Sequence, residues 1–379
     1  MTTPQTSPSE APVTVTGQQM QELHETPVAA RTPATPAADP LRWLRWLARG
    51  WPWALLGFAA LALLPNIYDF LFGFSADFEL HRVSLIGIFV IAALAQNILT
   101  GYAAQPSLGN AAFFGVGAYM LAWTTTDLNF PYWEGIVIAL VVTTLLGALV
   151  AGPALRISGT YLAIATLGLV IITQALLALW DQTDGRQEYD LTKLSDFLQD
   201  DRSLYYVILL VVAVVIFLSA NLLRSRVGRA WVAIRDNEAA AEAFGVNLTR
   251  YKLLAFMVSA LLTGLAGVLY ATWATTAVSS MSSVDQTIAF LAMIVVGGLG
   301  SIIGSILGAL FVGFLPLLLG QLPDIIAVGP ISLQVSTLNT GIYGLLLLLA
   351  LIFYPQGLSG LIRQGEVLVR RLVRKGGQA

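Results

Sequence analysis

Few side chains in this sequence could take part in bond-making chemistry. It contains no cysteine, and therefore no thiolate nucleophile, thiolate metal site or disulfide. Its two histidines, His24 and His81, fall outside the apolar segments, which argues against a buried metal centre or proton relay. An intramembrane transferase or protease would need an activated nucleophile, and Ser107 and Ser301 have no base nearby in the sequence. The sequence thus predicts a protein that is not an enzyme and that holds neither a metal nor a cofactor.

The polar residues that remain suit reversible hydrogen bonding to a solute. Gln105, Ser107 and Asn110 lie in a glycine-rich break at residues 101–117, where Pro106 cannot continue a helix cleanly. Broken helices of this kind line substrate paths in transporters, because their freed backbone groups can bind the solute. The alternative is an ordinary cytoplasmic turn with helix-packing glycines.

A second glycine-rich break covers residues 297–313. Gly297, Gly298 and Ser301 open it, and they complete the predicted substrate pathway. Glycines then recur every fourth residue at 300, 304 and 308, which predicts one smooth stripe for close helix contact. Both breaks follow an apolar segment whose end faces inward, a hint of a duplicated architecture.

The composition indicates that the elements on either side of these breaks are membrane-spanning helices. Apolar residues make up 56% of the chain and charged residues 11%, which is typical of an all-α polytopic integral membrane protein. The net charge of −2 offers no basis for binding nucleic acid. About ten spans are expected, with eight to ten compatible with the sequence. They cover residues 53–72, 83–100, 111–126, 134–153, 160–180, 204–223, 251–272, 286–300, 302–320 and 336–354.

The charges in the loops predict the orientation of these spans. With both termini in the cytoplasm, the inner loops collect fifteen basic residues and the outer loops four, as the positive-inside rule requires. The largest outer loop, residues 181–203, either docks a soluble extracytoplasmic partner or is simply solvated.

Three regions follow along the chain. Residues 1–40 hold seven of the sixteen prolines and are expected to be a disordered cytoplasmic tail. Residues 41–360 are expected to form the transmembrane permease domain, and they open with tryptophans and arginines that suit the lipid headgroup boundary. Residues 361–379 are expected to form a basic cytoplasmic tail.

One long polar segment, the loop at residues 224–252, interrupts the apolar spans. Its six basic and three acidic residues place it in the cytoplasm. Its centre predicts a helix over residues 230–244 that is capped by Gly245 and has Trp231, Ile234 and Phe244 on one face. No Lys, Arg or His lies in the middle of a span, so energy for uphill transport would have to come from a partner. The loop is therefore either a docking element or a solvated connector.

The loop resembles the cytoplasmic coupling loop of ABC importer permeases of the branched-chain amino-acid type. The resemblance extends over about residues 83–360. It is carried in the loop by Gly228, Arg229, Ala230, Arg235, Asp236, Asn237, Glu238, Ala240, Ala241 and Gly245. Further motifs that match the family are residues 105–109, 111–115, 156–161, 247–256, 264–267, 297–301 and 355–358. The chain departs from the family pattern at Ala104, Pro106, Asn110 and Ala239.

The resemblance implies a permease subunit of the bacterial inner membrane. It would pair with a second related permease, and two cytoplasmic ABC ATPase subunits would grip the coupling helices. From the charges and the helix pattern of the loop, we expect Asp236, Asn237 and Glu238, near the middle of the predicted helix, to contact the ATPase. An extracytoplasmic solute-binding protein would deliver a branched-chain amino acid or a related amide or urea-type solute. The chain itself has no phosphate-binding Gly-x-x-x-x-Gly-Lys-Ser/Thr loop. The alternative is an ATP-independent facilitator or secondary transporter of a small neutral solute.

Overall fold

The computed structural model describes residues 77–319 except 158, 184, 186–187 and 192–199, and also residues 325–328 and 331–334. The predicted spans at 53–72 and 336–354, the boundary at residue 40 and both predicted tails lie outside these residues. The helices of the described part are α1 (Asp77–Asn97), α2 (Asn110–Thr126), α3 (Tyr132–Ala154), α4 (Thr160–Thr183), α5 (Asp201–Arg224), α6 (Arg226–Asp236), α7 (Glu238–Ala243), α8 (Leu248–Ala274), α9 (Val284–Gly297) and α10 (Ile302–Leu319).

Hydropathy located the membrane-length helices of the described part within a few residues. Six helical segments there are long and apolar enough to cross a membrane: Leu80–Tyr102, Tyr132–Ala154, Thr160–Thr183, Asp201–Arg224, Leu248–Ala274 and Ser279–Gly297. The predicted spans at 111–126 and 302–320 correspond to the shorter helices α2 and α10. The number of ten spans and the cytoplasmic termini stay predictions.

The all-helical prediction needs one small correction. Two short antiparallel strand pairs are present: β1 (Tyr189–Asp190) with β2 (Thr276–Ala277), and β3 (Ile325–Val328) with β4 (Ile331–Gln334). The first pair ties the loop after α4 to the end of α8. Short strands of this kind depend on partners far away in the chain, so helical hydropathy patterns do not reveal them.

Helix α8 forms the centre of the described part and packs against α1, α2 and α3. Small residues allow these close approaches. A Cβ atom at Gly117 of α2 would collide with the backbone of Gly264 in α8, and one at Gly267 would collide with the carbonyl oxygen of Phe114. The glycines of the 264–267 motif therefore set the distance between α2 and α8.

Helix α3 has two faces of opposite character. The face that is buried consists of small residues at every fourth position: Gly135, Ala139, Thr143, Gly147 and Ala151. The other face carries exposed large apolar side chains: Trp133, Val137, Val141, Leu145 and Leu149. Helices α4 and α5 also expose large apolar residues, including Tyr161 and Leu210. Such surfaces require an apolar solvent, as expected of helices that face lipid or another membrane subunit.

Candidate functional site

The first glycine-rich break separates α1 from α2. The end of α1 widens into a π-helical turn over Ile98–Tyr102, and the chain then runs without helix from residue 103 to 109. Ala104 adopts a positive φ of 50° within this stretch. π-helical turns inside longer helices are frequent at functional sites, because they displace the backbone from regular helix geometry.

The three polar residues predicted to line a pathway at this break are all buried. Gln105, Ser107 and Asn110 are exposed by 4%, 2% and 1%, respectively. Ser107 Oγ accepts a hydrogen bond from the Gly109 amide, and Asn110 Nδ2 donates one to Ser259 Oγ. In this conformation these side chains are buried and hydrogen-bonded to other residues of the chain. Contact with a solute would therefore require the break to open.

The second break is a tight turn between α9 and α10. Gly298 and Gly300 have φ values of 113° and 73°, a region that side chains other than glycine rarely adopt. Ser301 Oγ accepts a hydrogen bond from the Gly304 amide and so caps the start of α10. Gly304 and Gly308 pack against the backbone of α9, as the stripe predicted. Gly300 does not belong to that stripe, because it lies in the turn before α10 begins.

Asn97 joins the end of α1, where the first break begins, to the second break, and sequence reasoning missed it. Its Nδ2 donates to the Ser301 carbonyl oxygen at 2.9 Å and to Ser305 Oγ at 2.7 Å, while its Oδ1 accepts from the Gly300 amide at 2.8 Å. The side chain is 1% exposed and makes all three bonds to the second break. The signal that could have revealed it is the adjacent amide pair Gln96–Asn97 within an apolar span.

Gln96 and Ser259 complete this polar cluster on the side of the first break. Gln96 Nε2 donates to the Ser107 carbonyl oxygen at 2.7 Å, and Ser259 Oγ of α8 donates to the Ala95 carbonyl oxygen at 3.0 Å. The last turn of α1 therefore contacts both breaks and α8 through buried hydrogen bonds. Buried polar groups that are hydrogen-bonded in this way favour one arrangement of the helices over others.

The polar loop at residues 224–252 contains two helices where the sequence predicted one. Helix α6 ends at Asp236, and α7 begins at Glu238 because Asn237 adopts an extended backbone between them. The Asn237 side chain accepts a hydrogen bond from the Ala240 amide and caps α7. The prediction of one continuous helix with residues 236–238 near its middle was therefore wrong. The preference of Asn for the N-cap position outweighs the helix propensity of the residues on both sides.

The apolar residues of the loop do not share one face. Trp231 and Ile234 of α6 are buried, and Trp231 Nε1 donates to the Tyr251 carbonyl oxygen at 2.8 Å. Phe244, which the helical period placed beside them, is 89% exposed. The break at Asn237 changes the direction of the chain, so α6 is held against the membrane domain while the end of α7 carries an unprotected aromatic ring.

Gly245 ends α7 as predicted. Its φ is +84°. The Gly245 amide donates a hydrogen bond to the Glu242 carbonyl oxygen, and the Val246 amide donates one to the Ala241 carbonyl oxygen. Lys252, buried at the start of α8, pairs with Glu238 at 2.8 Å and so ties α7 to α8. A cleft of about 480 Å³ lies between these elements and is lined by both carboxylates of α7, Glu238 and Glu242.

The remaining predicted loop residues divide between packing and surface. Gly228 and Ala241 are buried, and a Cβ at Gly228 would collide with the backbone of Leu223. Arg229 and Ala240 are exposed. Arg235 is also exposed, pairs with Asp236, and reaches back to the first break, where its Nη1 lies 3.3 Å from the Gly101 carbonyl oxygen.

Comparison with known proteins gives a consistent picture over most of the chain. A sequence family described as "Branched-chain amino acid transport system / permease component" matches residues 80–352. The high-affinity branched-chain amino acid transport system permease protein LivM of Salmonella typhimurium is 32% identical over 250 residues, 59% of this chain and 59% of that protein. LivM of Escherichia coli is 29% identical over 324 residues, 78% of this chain and 73% of that protein.

More distant matches are to permeases with other names. The ribose import permease protein RbsC of Haemophilus influenzae is 26% identical over 213 residues, 52% of this chain and 63% of that protein. No solved structure matches the chain.

Proposed function

This chain belongs to the family of permease components of branched-chain amino acid transport systems, and on that premise we propose that it is the transmembrane subunit of an ABC importer. It is a multi-pass protein of the bacterial inner membrane. The solute that it carries is a branched-chain amino acid or a related amide or urea-type solute. The names of its LivM relatives favour the amino acid over a sugar.

The observation that carries the proposal is the position of Phe244 at the end of α7. This ring is 89% exposed, in a polar loop between the membrane-length helices α5 and α8. An aromatic ring exposed to this extent is available to a partner, and aromatic residues are enriched in protein interfaces. Because Trp231 holds α6 in the core, force applied to α7 is transmitted to the membrane domain.

The proposed partners follow from the family to which the chain belongs. The chain has no nucleotide-binding loop of the Gly-x-x-x-x-Gly-Lys-Ser/Thr type, and in an ABC importer two separate cytoplasmic ATPase subunits would supply the energy. A second related permease completes the pathway, and an extracytoplasmic binding protein delivers the solute. The contact with the ATPase involves Asp236, Asn237, Glu238 and the exposed residues that follow them.

A pull-down in mild detergent from the native host tests this proposal. Wild type is compared with Phe244→Asp, which places a charge at the proposed contact without touching the core. The matched control is Phe130→Asp, since Phe130 is also exposed, by 42%, but lies in the loop between α2 and α3. We expect wild type and the control to recover an ATPase and a second permease, and Phe244→Asp to lose the ATPase while retaining the permease.

The opposite results are equally informative. A protein that is recovered alone points to a facilitator, and the loop is then a connector. An ATPase that is recovered equally with wild type and with Phe244→Asp contradicts the proposed contact at Phe244. If the ATPase is found, calorimetry of the copurified binding protein with leucine, isoleucine, valine, an aliphatic amide, urea and ribose identifies the solute class.

A further inference from the structure

One guanidinium group touches both glycine-rich breaks. Arg235 Nη1 donates to the Gly101 carbonyl oxygen of the first break at 3.3 Å. A Cβ atom added to Gly300 of the second break would lie only 2.9 Å from the same Nη1. Arg235 therefore occupies the point where the two breaks meet, although it belongs to the polar loop.

The two breaks are also in direct contact beneath this guanidinium. A Cβ atom at Gly101 would collide with Asn97 Oδ1 and with the Gly300 amide. The Gly300 amide donates a hydrogen bond to Asn97 Oδ1 at 2.8 Å, and Asn97 Nδ2 donates two further hydrogen bonds, to Ser301 and Ser305. A displacement of the second break relative to the end of α1, where the first break begins, must therefore break or exchange these hydrogen bonds.

The position of Arg235 is determined by α6. Trp231 and Ile234 fix this helix in the core, and Trp231 bonds the backbone of α8. Arg235 follows Ile234 directly and lies two residues before Asn237, from which α7 and the exposed Phe244 extend. A shift or rotation of α6 consequently moves the guanidinium relative to Gly101 and Gly300.

We propose that Arg235 and Asn97 are positioning residues that pass the displacement of α6 to both breaks, so that the breaks move together when the loop moves. The inference rests on the proposed function, because it is the ATPase that would displace the loop. Arg235 suits this role because its guanidinium presents several donors in a fixed planar geometry, so one rigid group can contact Gly101 and lie against Gly300 at the same time. Asn97 suits it because a bonded buried amide favours discrete arrangements over gradual deformation.

The competing explanation is that Arg235 is merely part of the ATPase contact surface, since it is exposed and pairs with Asp236 at 3.4 Å. That explanation predicts that its replacement weakens ATPase binding. The positioning role predicts that the ATPase stays bound and active while transport fails. The two explanations are separated by measuring both activities in the same complex.

The experiment uses the complete complex, purified from the native host and reconstituted in proteoliposomes. The variants are Arg235→Gln and Arg235→Lys, with Arg226→Gln as the matched control at the exposed first residue of the same helix. A reporter, Leu299→Cys, lies in the turn between Gly298 and Gly300, is 55% exposed, and is the single cysteine of the chain. Maleimide labelling of this chain with and without Mg-ATP follows the second break, alongside solute uptake and ATP hydrolysis.

We expect Mg-ATP to change the labelling rate in the otherwise wild-type and Arg226→Gln complexes. In Arg235→Gln that response disappears and uptake falls about ten-fold, the effect of losing one hydrogen bond from a charged donor. ATP hydrolysis continues, and Arg235→Lys, which keeps a cationic donor, recovers most of the uptake. Ser305→Ala removes one hydrogen-bond partner of Asn97 but leaves the Asn97 side chain in place, and we expect it to lower uptake as well.

Three results overturn the inference. The first is an Arg235→Gln complex that retains uptake and the labelling response, and the second is one that loses the ATPase together with uptake. The third is a labelling rate in wild type that does not respond to Mg-ATP. A wild-type protein that binds no ATPase overturns the proposed function as well, which distinguishes that failure from the first three.

Discussion

Gly101 lies where the two breaks touch, and the groups around it leave no space for a side chain. A Cβ atom there would collide with Asn97 Oδ1 and the Gly300 amide, both of which are held by hydrogen bonds. The close contact between the breaks therefore depends on the absence of one methyl group.

We expect Gly101→Ala to destabilise the protein by about 1–3 kcal/mol, because the added methyl group must push the two breaks apart. The thermal unfolding temperature of the purified protein in detergent measures this effect. Gly168→Ala in α4 is the control, since a Cβ at Gly168 meets no atom within 4 Å and alanine favours a helix interior. Equal unfolding temperatures for wild type and Gly101→Ala would show that the breaks separate freely.

Gly245 requires glycine for a different reason, its backbone conformation. With φ at +84° and open space around its Cβ position, substitution affects only the backbone. We expect Gly245→Val to reduce solute uptake while insertion into the membrane stays normal, because the left-handed conformation costs valine about 1–2 kcal/mol and the end of α7 changes direction.

Uptake and the amount of protein in the membrane are the two measurements for Gly245→Val. Gly245→Asn is the matched variant, because asparagine tolerates positive φ better than any β-branched residue. It should retain most of the uptake. Wild-type uptake in Gly245→Val would show that the capping geometry is not needed for coupling.

At the scale of the elements, the break between α6 and α7 separates an anchored helix from an exposed one. Asn237 ends the first helix in an extended conformation and caps the second through its side chain. Coupling then depends on the angle between the two helices, since Phe244 lies on one and Arg235 on the other.

We expect Asn237→Ala to lower the solute transported per ATP hydrolysed, because losing the cap costs about 1 kcal/mol and favours one continuous helix. Asn237→Asp keeps a side-chain oxygen that can accept the Ala240 amide and should behave like wild type. The ratio is measured in proteoliposomes that contain the complete complex. An unchanged ratio in Asn237→Ala would mean that the cap does not set the coupling geometry.

At the scale of the whole molecule, the positive-inside distribution of charge predicts which side each loop faces. Three membrane-length helices, α3, α4 and α5, separate the loop at Leu128 from Ala243. If each of the three crosses the membrane, the odd number of crossings predicts that these two residues lie on opposite sides, and the charge distribution predicts that Ala243 is in the cytoplasm.

Single cysteines test this arrangement directly, since the chain has none of its own. We expect Leu128→Cys to react with an impermeant maleimide in intact spheroplasts, and Ala243→Cys to react only in inverted vesicles. Both residues are exposed, so access does not depend on opening the protein. Labelling of both positions from the same side would contradict the predicted topology.

The sequence by itself determined those features that depend on neighbouring residues. Hydropathy over about twenty residues located α3 at Tyr132–Ala154 against a predicted 134–153, because lipid imposes the same length and apolar character on every spanning helix. The helix-terminating role of Gly245 was equally local, since a cap is built from residues within one turn. The glycine motifs also revealed both breaks and the close packing of α9 with α10.

Only the tertiary structure decided how these pieces meet. The bond between Asn97 and Gly300 joins residues 203 positions apart, and Arg235 reaches Gly101 across 134 positions. Neither contact leaves a periodic pattern in the sequence. The exposure of Phe244 also escaped the helical period, because a single asparagine ended the helix before that period could apply. Local pattern specifies an element, whereas a contact between distant residues depends on how all the elements pack.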